Sequence, residues 1–192
     1  LANQVEVLDA NPDCTLCAHD VVTVDKASRE LKRKARFSKN KKKGRDFLIA
    51  NLPFFAHSSK MFRSDVSCGY YDELPDDSTD FELHLRHLKD GRVYFIAEFL
   101  GFYRVFAGIA TSNKRINPIL PIATRRVFDG LLAGNDSSYS EVELKKIYSA
   151  SILRYALGSF LVGDLVRGRD YADESLKIKI FSIRQLLTAL FY

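Results

Sequence analysis

The sequence predicts an α+β fold: one domain over residues 1–192, with a central antiparallel β-hairpin or meander and a helical C-terminal half. Three observations lead there. Phe81, Leu83 and Leu85 alternate with Glu82, His84 and Arg86, the period of a half-buried strand. Asp90-Gly91 then suits a two-residue turn, and Val93-Tyr94-Phe95-Ile96-Ala97 returns as an apolar, β-rich run. Beyond Pro118 and Pro121 the apolar spacing becomes helical. With 192 residues, 46% of them hydrophobic, and 14 Phe and 9 Tyr, the chain can bury one sizeable core.

The elements follow in order. Residues 1–22 read as extended, with Val5, Val7 and Val21-Val22 as β-formers and Asn11-Pro12-Asp13 as a turn. Thr23 or Asp25 can cap a helix to about residue 37, because Ala27, Leu31 and Ala35 recur every fourth position. Residues 38–44 break that pattern into a flexible basic loop. Phe47-Leu48-Ile49-Ala50 is a short apolar element, and 51–80 looks irregular, with an acidic run through 72–77 able to pair with cations. After the predicted hairpin, Phe102-Tyr103-Arg104-Val105-Phe106 offers a third extended segment. Val127, Phe128, Leu131 and Leu132 share a helical face that Gly134 ends. Ser140 with Glu143 is a capping box opening a long, largely buried helix to about residue 167, which Gly158 and Gly163 bend or split. Residues 176–180 alternate like a strand, and Ser182 with Gln185 caps a last helix carrying Ile183, Leu186, Leu187 and Leu190. There is no internal repeat and no low-complexity linker.

Charge is the strongest functional signal. The net charge is only +5, yet residues 26–45 carry eleven cations against Glu30, a local +10, and the other 172 residues sum to −5. Like charges this dense repel over a Debye length of about 8 Å and are easiest to keep beside a polyanion. A basic helix and loop at 26–45 is therefore expected to contact phosphates through Arg29, Lys32, Arg33, Lys34, Arg36, Lys39, Lys41, Lys42, Lys43 and Arg45. Lys32-Arg33-Lys34 and Lys41-Lys42-Lys43 also fit a nuclear import signal.

Other constellations are thinner. Cys14, Cys17 and His19 have the spacing of a zinc half-site that His57 or Cys68 could complete, against the plainer reading of two cysteines in a turn. An odd count of three cysteines fits a reducing compartment, not a disulfide scaffold. Pro12-Asp13 with Glu30-Leu31-Lys32 matches the loose pattern of a divalent-metal-dependent nuclease, whose carboxylates must meet on adjacent strands. His84 and His87 flank Arg86 and could meet a phosphate, although a plain exposed strand is commoner. No Gly-x-Ser-x-Gly elbow, P-loop or Gly-x-Gly-x-x-Gly occurs. Leu176-Lys177-Ile178-Lys179-Ile180 and the capped helix from Ile183 resemble the first strand and helix of a ribbon-helix-helix DNA-binding unit. That resemblance covers about seventeen residues and implies paired strands in a major groove.

The resulting expectation is a non-enzymatic, regulatory nucleic-acid-binding protein, DNA preferred over RNA, able to form a homodimer through its helical half. The alternatives are an interaction or effector protein whose basic arm docks on an acidic protein or membrane surface, and the metal-dependent nuclease. No cofactor beyond zinc is suggested. No apolar run reaches the roughly 18 residues of a membrane span, so no membrane insertion is expected. The first residues show no secretory signal. The expected location is the cytoplasm: the nucleoid in a bacterium, the nucleus in a eukaryote or virus.

Overall fold

A computed structural model describes residues 1–51, 55–64, 78–105, 117–134, 137–182 and 185. The fold is α+β. The elements are α1 (Ala2–Asp9), β1 (Cys14–Val24), β2 (Glu30–Lys32), β3 (Lys41–Lys43), α2 (Arg45–Ala50), a 3-10 turn at His57–Ser59 and β4 (Lys60–Phe62). They continue with α3 (Asp80–His87), β5 (Arg92–Arg104), α4 (Ile119–Ala133), α5 (Glu141–Leu161) and α6 (Leu165–Ile178). Two compact units divide the chain, Leu1–Ser112 and Asn113–Tyr192.

The first unit is built on one mixed sheet of five strands, ordered β2-β1-β5-β3, with β4 also on β1. Its two long strands, β1 and β5, run parallel over their whole length. β4 and β2 share the other edge of β1, β4 at Leu16–Ala18 and β2 at Thr23–Val24, both antiparallel. β3 pairs only with Val93–Phe95 of β5. Leu16, Ala18, Val93, Phe95, Leu48, Ile49 and Leu88 are buried at the centre, where removing each of these side chains but the Ala18 methyl from water supplies about 2 kcal/mol.

Several local expectations change. Residues 1–10 are mostly helix, because Gln4 and Leu8 recur at i, i+4 and are buried. The central hairpin is replaced by other pairings. Residues 81–85 belong to α3, opened by a capping box of Thr79 and Glu82. Phe81, Leu83 and Leu85 are buried, but so are Glu82, His84 and His87, so no alternating polar face exists. Asp90-Gly91 joins a helix to β5 instead of two strands. A side chain at Gly91 would stand 2.3 Å from Thr15 Cγ2, so the chain passes too close for a Cβ. The two extended segments expected at 93–97 and 102–106 are one strand, with Phe106 outside the described residues.

The second unit is helical, as the C-terminal half was read. The Ser140–Glu143 capping box opens α5: the Ser140 N–H donates to Glu143 Oε2 at 2.9 Å. Gly163, at φ +80°, splits the expected long helix into α5 and α6. That left-handed conformation is cheap only for glycine. α5 and α6 pack through Leu153, Ala156 and Ala172. Phe160 lies over Gly168, where a Cβ would come within 2.1 Å of its ring. Phe128 of α4 stacks on Tyr148 of α5 at 4.8 Å. Residues 176–178 close α6 in place of the expected strand, so the ribbon of a ribbon-helix-helix unit is missing. The Gln185 N–H donates to Ser182 Oγ at 3.2 Å, as the second capping signature requires. Ile183, Leu186, Leu187 and Leu190 lie outside the described residues. Among the described residues, no helix is long and apolar enough to cross a membrane.

Candidate nucleic-acid interface

The basic segment is not a helix. The six cations of the expected helix, Lys26, Arg29, Lys32, Arg33, Lys34 and Arg36, would sit within a few ångströms of each other, whereas an extended path spaces them. Asp25 does gather backbone N–H groups, as a cap would, but to close a turn. Its Oδ1 accepts from Ala27 at 2.8 Å and from Arg29 at 2.9 Å, with Ser28 at φ 65°. The chain then forms β2, crosses through 33–40, and returns as β3.

Residues 33–40 are fastened to the sheet at several points. The Phe37 ring meets Phe95 edge-on at 5.0 Å and lies 6.3 Å from Phe47. Asn40 Oδ1 accepts the Ala97 N–H at 2.9 Å, and its Nδ2 donates to Tyr94 Oη at 3.3 Å. Arg33 lies over the Phe99 ring at 5.2 Å. Asp20, only 3% exposed on β1, accepts the Arg36 N–H at 3.0 Å and faces its Nε at 3.8 Å.

Around Asp20 lies an open polar cavity of about 220 Å³, lined by Asp20, Val21, Thr23, Lys32, Lys34 and Arg36. It holds three cations and a single carboxylate. Burial pulls the Arg36 guanidinium below its usual pKa, and Asp20 opposes that shift.

The expected phosphate contacts fall into two groups. Some cations already have an internal counter-charge. Arg29 Nε meets Asp25 Oδ2 at 2.7 Å, and Arg33 makes two bonds to Glu30 at 3.1 and 3.0 Å. Lys42 Nζ donates to Asp13 Oδ1 at 2.7 Å. Those partners hold Glu30 and Asp13 below the usual carboxylate range. Lys43 lies over the Phe47 ring at 4.5 Å, and Arg45 heads α2 with its Nε buried. The other group, Lys32, Lys34, Lys39 and Lys41, meets no carboxylate among the described residues. The acidic run at 72–77 lies outside the described residues.

The remaining candidates are placed elsewhere. Cys14 and Cys17 are free, fully buried thiols packed with Leu8. Burial raises both, Cys17 to about 11, which disfavours the thiolate that a metal needs. His19 Nδ1 lies 2.8 Å from the Asp20 carbonyl. Cys68 lies outside the described residues, among which no group of three His, Cys, Asp or Glu is placed to hold a metal ion. Asp13 precedes β1, while Glu30 pairs with Val24 at its far end. Ten residue steps along β1, about 33 Å, separate those ends, so the carboxylates do not converge. His84 and His87 are buried instead of exposed on a strand, His84 tilted against Phe55 at 4.3 Å and His87 stacked on Phe62 at 4.2 Å, and cannot reach a phosphate.

Sequence reasoning missed Asp20, Phe37 and Asn40. Asp20 had a readable signal: a lone acid inside the apolar run of β1 must find a cation or donor once buried. No family model matches this chain, and no curated protein matches it in sequence.

Proposed function

We propose that the protein is a non-enzymatic, regulatory nucleic-acid-binding protein that holds backbone phosphates in the cleft of Lys32, Lys34 and Arg36, with Lys39 and Lys41 extending the contact. The observation that carries this reading is the surplus of cations over carboxylates around one polar cleft. A phosphate entering it supplies Lys32 and Lys34 with a counter-charge that no carboxylate among the described residues provides, and releases counterions from the nucleic acid. Among the described residues the cleft has no aromatic lining on which splayed bases could stack, which favours a DNA duplex backbone over single-stranded RNA. Contacts of this kind set position, not base sequence.

A salt titration of duplex DNA binding tests the proposal. Affinity is expected to fall steeply with salt, and Lys32→Ala with Lys34→Ala should reduce the slope of log K against log salt by about 2. The loss should be equal for unrelated DNA sequences. Affinity that ignores salt, or a slope unchanged in the double variant, refutes it. Binding to an acidic polypeptide but not to DNA would transfer the cleft to a protein-docking role.

A further inference from the structure

We infer that Asn40 is a positioning residue for the basic strap, the segment 33–40 between β2 and β3: its side chain holds a bulge of β5, and through it the cations, in the arrangement that meets phosphates. The inference rests on the proposed phosphate-binding role, and its test reads the strap separately from that role.

β1 and β5 do not keep one register. His19 pairs with Ile96, but the next residue, Asp20, pairs with Phe99, so Ala97 and Glu98 are skipped and β5 bulges there. β3, on the other edge of β5, begins at Lys41 opposite Phe95. Antiparallel continuation puts the Asn40 backbone opposite Ile96, one residue short of the bulge. The Asn40 side chain covers that step. Its Oδ1 accepts the Ala97 N–H at 2.9 Å, while its Nδ2 donates to Tyr94 Oη at 3.3 Å. One amide therefore spans β5 from Tyr94 to Ala97, and it gives the bulged N–H an acceptor.

The bulge decides where the cations stand. It places Phe99 opposite Asp20. Phe99 carries Arg33 at 5.2 Å, and Asp20 accepts the Arg36 N–H at 3.0 Å, so Lys34 lies between two anchored residues. A pairing without the bulge would set Ala97 opposite Asp20 and remove the ring beneath Arg33. Further along, Ser38 and Lys39 lie between two fastenings, Phe37 edge-on to Phe95 at 5.0 Å and the Asn40 amide, and Lys41 follows directly. Lysines whose backbone is already fixed lose less freedom on meeting a phosphate, and the entropy saved appears as affinity. Asn40 and both its bonds are exposed, so water replaces them when they are lost and the fold survives.

Duplex DNA binding by the full chain, together with hydrogen exchange of the Ala97 amide, tests this. Asn40→Ala is expected to weaken binding about tenfold and to speed Ala97 exchange by a similar factor, with the slope of log K against log salt unchanged because the same phosphates are met. Asn40→Asp keeps an acceptor for the Ala97 N–H, and the Tyr94 hydroxyl can donate to its second oxygen. Ala97 should stay protected there, while the added charge beside Lys39 and Lys41 lowers the slope by about 1. Tyr94→Phe removes one of the two bonds and should cost less than Asn40→Ala, with no further loss when the two are combined. Parental affinity in Asn40→Ala, Ala97 still protected in it, or a reduced salt slope in it overturns the inference alone. A parent chain that binds no duplex in dilute salt refutes the proposed function, and this inference with it.

Discussion

The two units handle buried polar groups in opposite ways. In the helical unit the polar groups satisfy one another. Ser149 Oγ lies 2.6 Å from the Ser175 carbonyl and 2.7 Å from that of Lys179, and it accepts from Gln185 Nε2 at 2.9 Å. Arg125 and Glu174 form two bonds at 2.7 and 2.6 Å. In the sheet unit, Asp20 is buried against a cleft whose cations outnumber it. A closed neutral network adds stability and offers nothing to a ligand. An unbalanced charged one is less stable and retains attraction for a counter-ion. The contrast is the ground on which the proposed function is assigned to the first unit.

Ser149→Ala probes the scaffold most severely. It removes the hub of a buried network and should cost about 2–3 kcal/mol in urea unfolding, with DNA affinity unchanged once folded. A loss below about 0.5 kcal/mol would mean the network is not closed.

Asp20→Asn probes the other side. It retains an acceptor for the Arg36 N–H but removes the only acid that lines the cleft among the described residues. Stability should fall by about 1–2 kcal/mol, while polyanion affinity and its salt slope rise. Weaker DNA binding in a folded Asp20→Asn protein would show that Asp20 shapes the site instead of opposing its charge.

The smallest expected effect concerns Lys60, whose Nζ is buried over the Phe62 ring at 5.6 Å and has no hydrogen-bond partner among the described residues. Burial pulls its pKa from 10.5 to about 8, with Asp80 opposing. Between these values the unfolded chain holds the proton and the folded one has released it. The Lys60 contribution to stability therefore rises with pH from about 8 to 10.5 and is least favourable below 8. Lys60→Met should remove that component from the pH dependence of the urea midpoint and stabilise the protein at pH 7, on the order of 1 kcal/mol after solvent screening. A pH profile identical to that of the parent would contradict a buried amine.

Short-range chemistry was readable in the chain. The capping box at Ser140 and Glu143, the stop at Gly134 and the split near Gly163 depend on neighbours within a few residues, and the structure contains each. So was the charge imbalance of 26–45, which is composition. The Thr79–Glu82 capping box is equally visible, but the alternation beside it has the period of a strand. The alternation misled because α3 is buried on nearly every side, so burial no longer follows helical period.

Long-range partners were not readable. Nothing near Asp20 says that the Arg36 N–H, sixteen residues on, will satisfy it, or that Phe37 will anchor the loop on Phe95 of a parallel strand. Nor does local pattern say which cations of 26–45 meet carboxylates and which do not. Spacing and propensity act over one or two turns of chain, and they set elements, caps and charge density. Strand partners and charge pairs depend on which distant segments share one sheet, a choice made by the burial of the whole core.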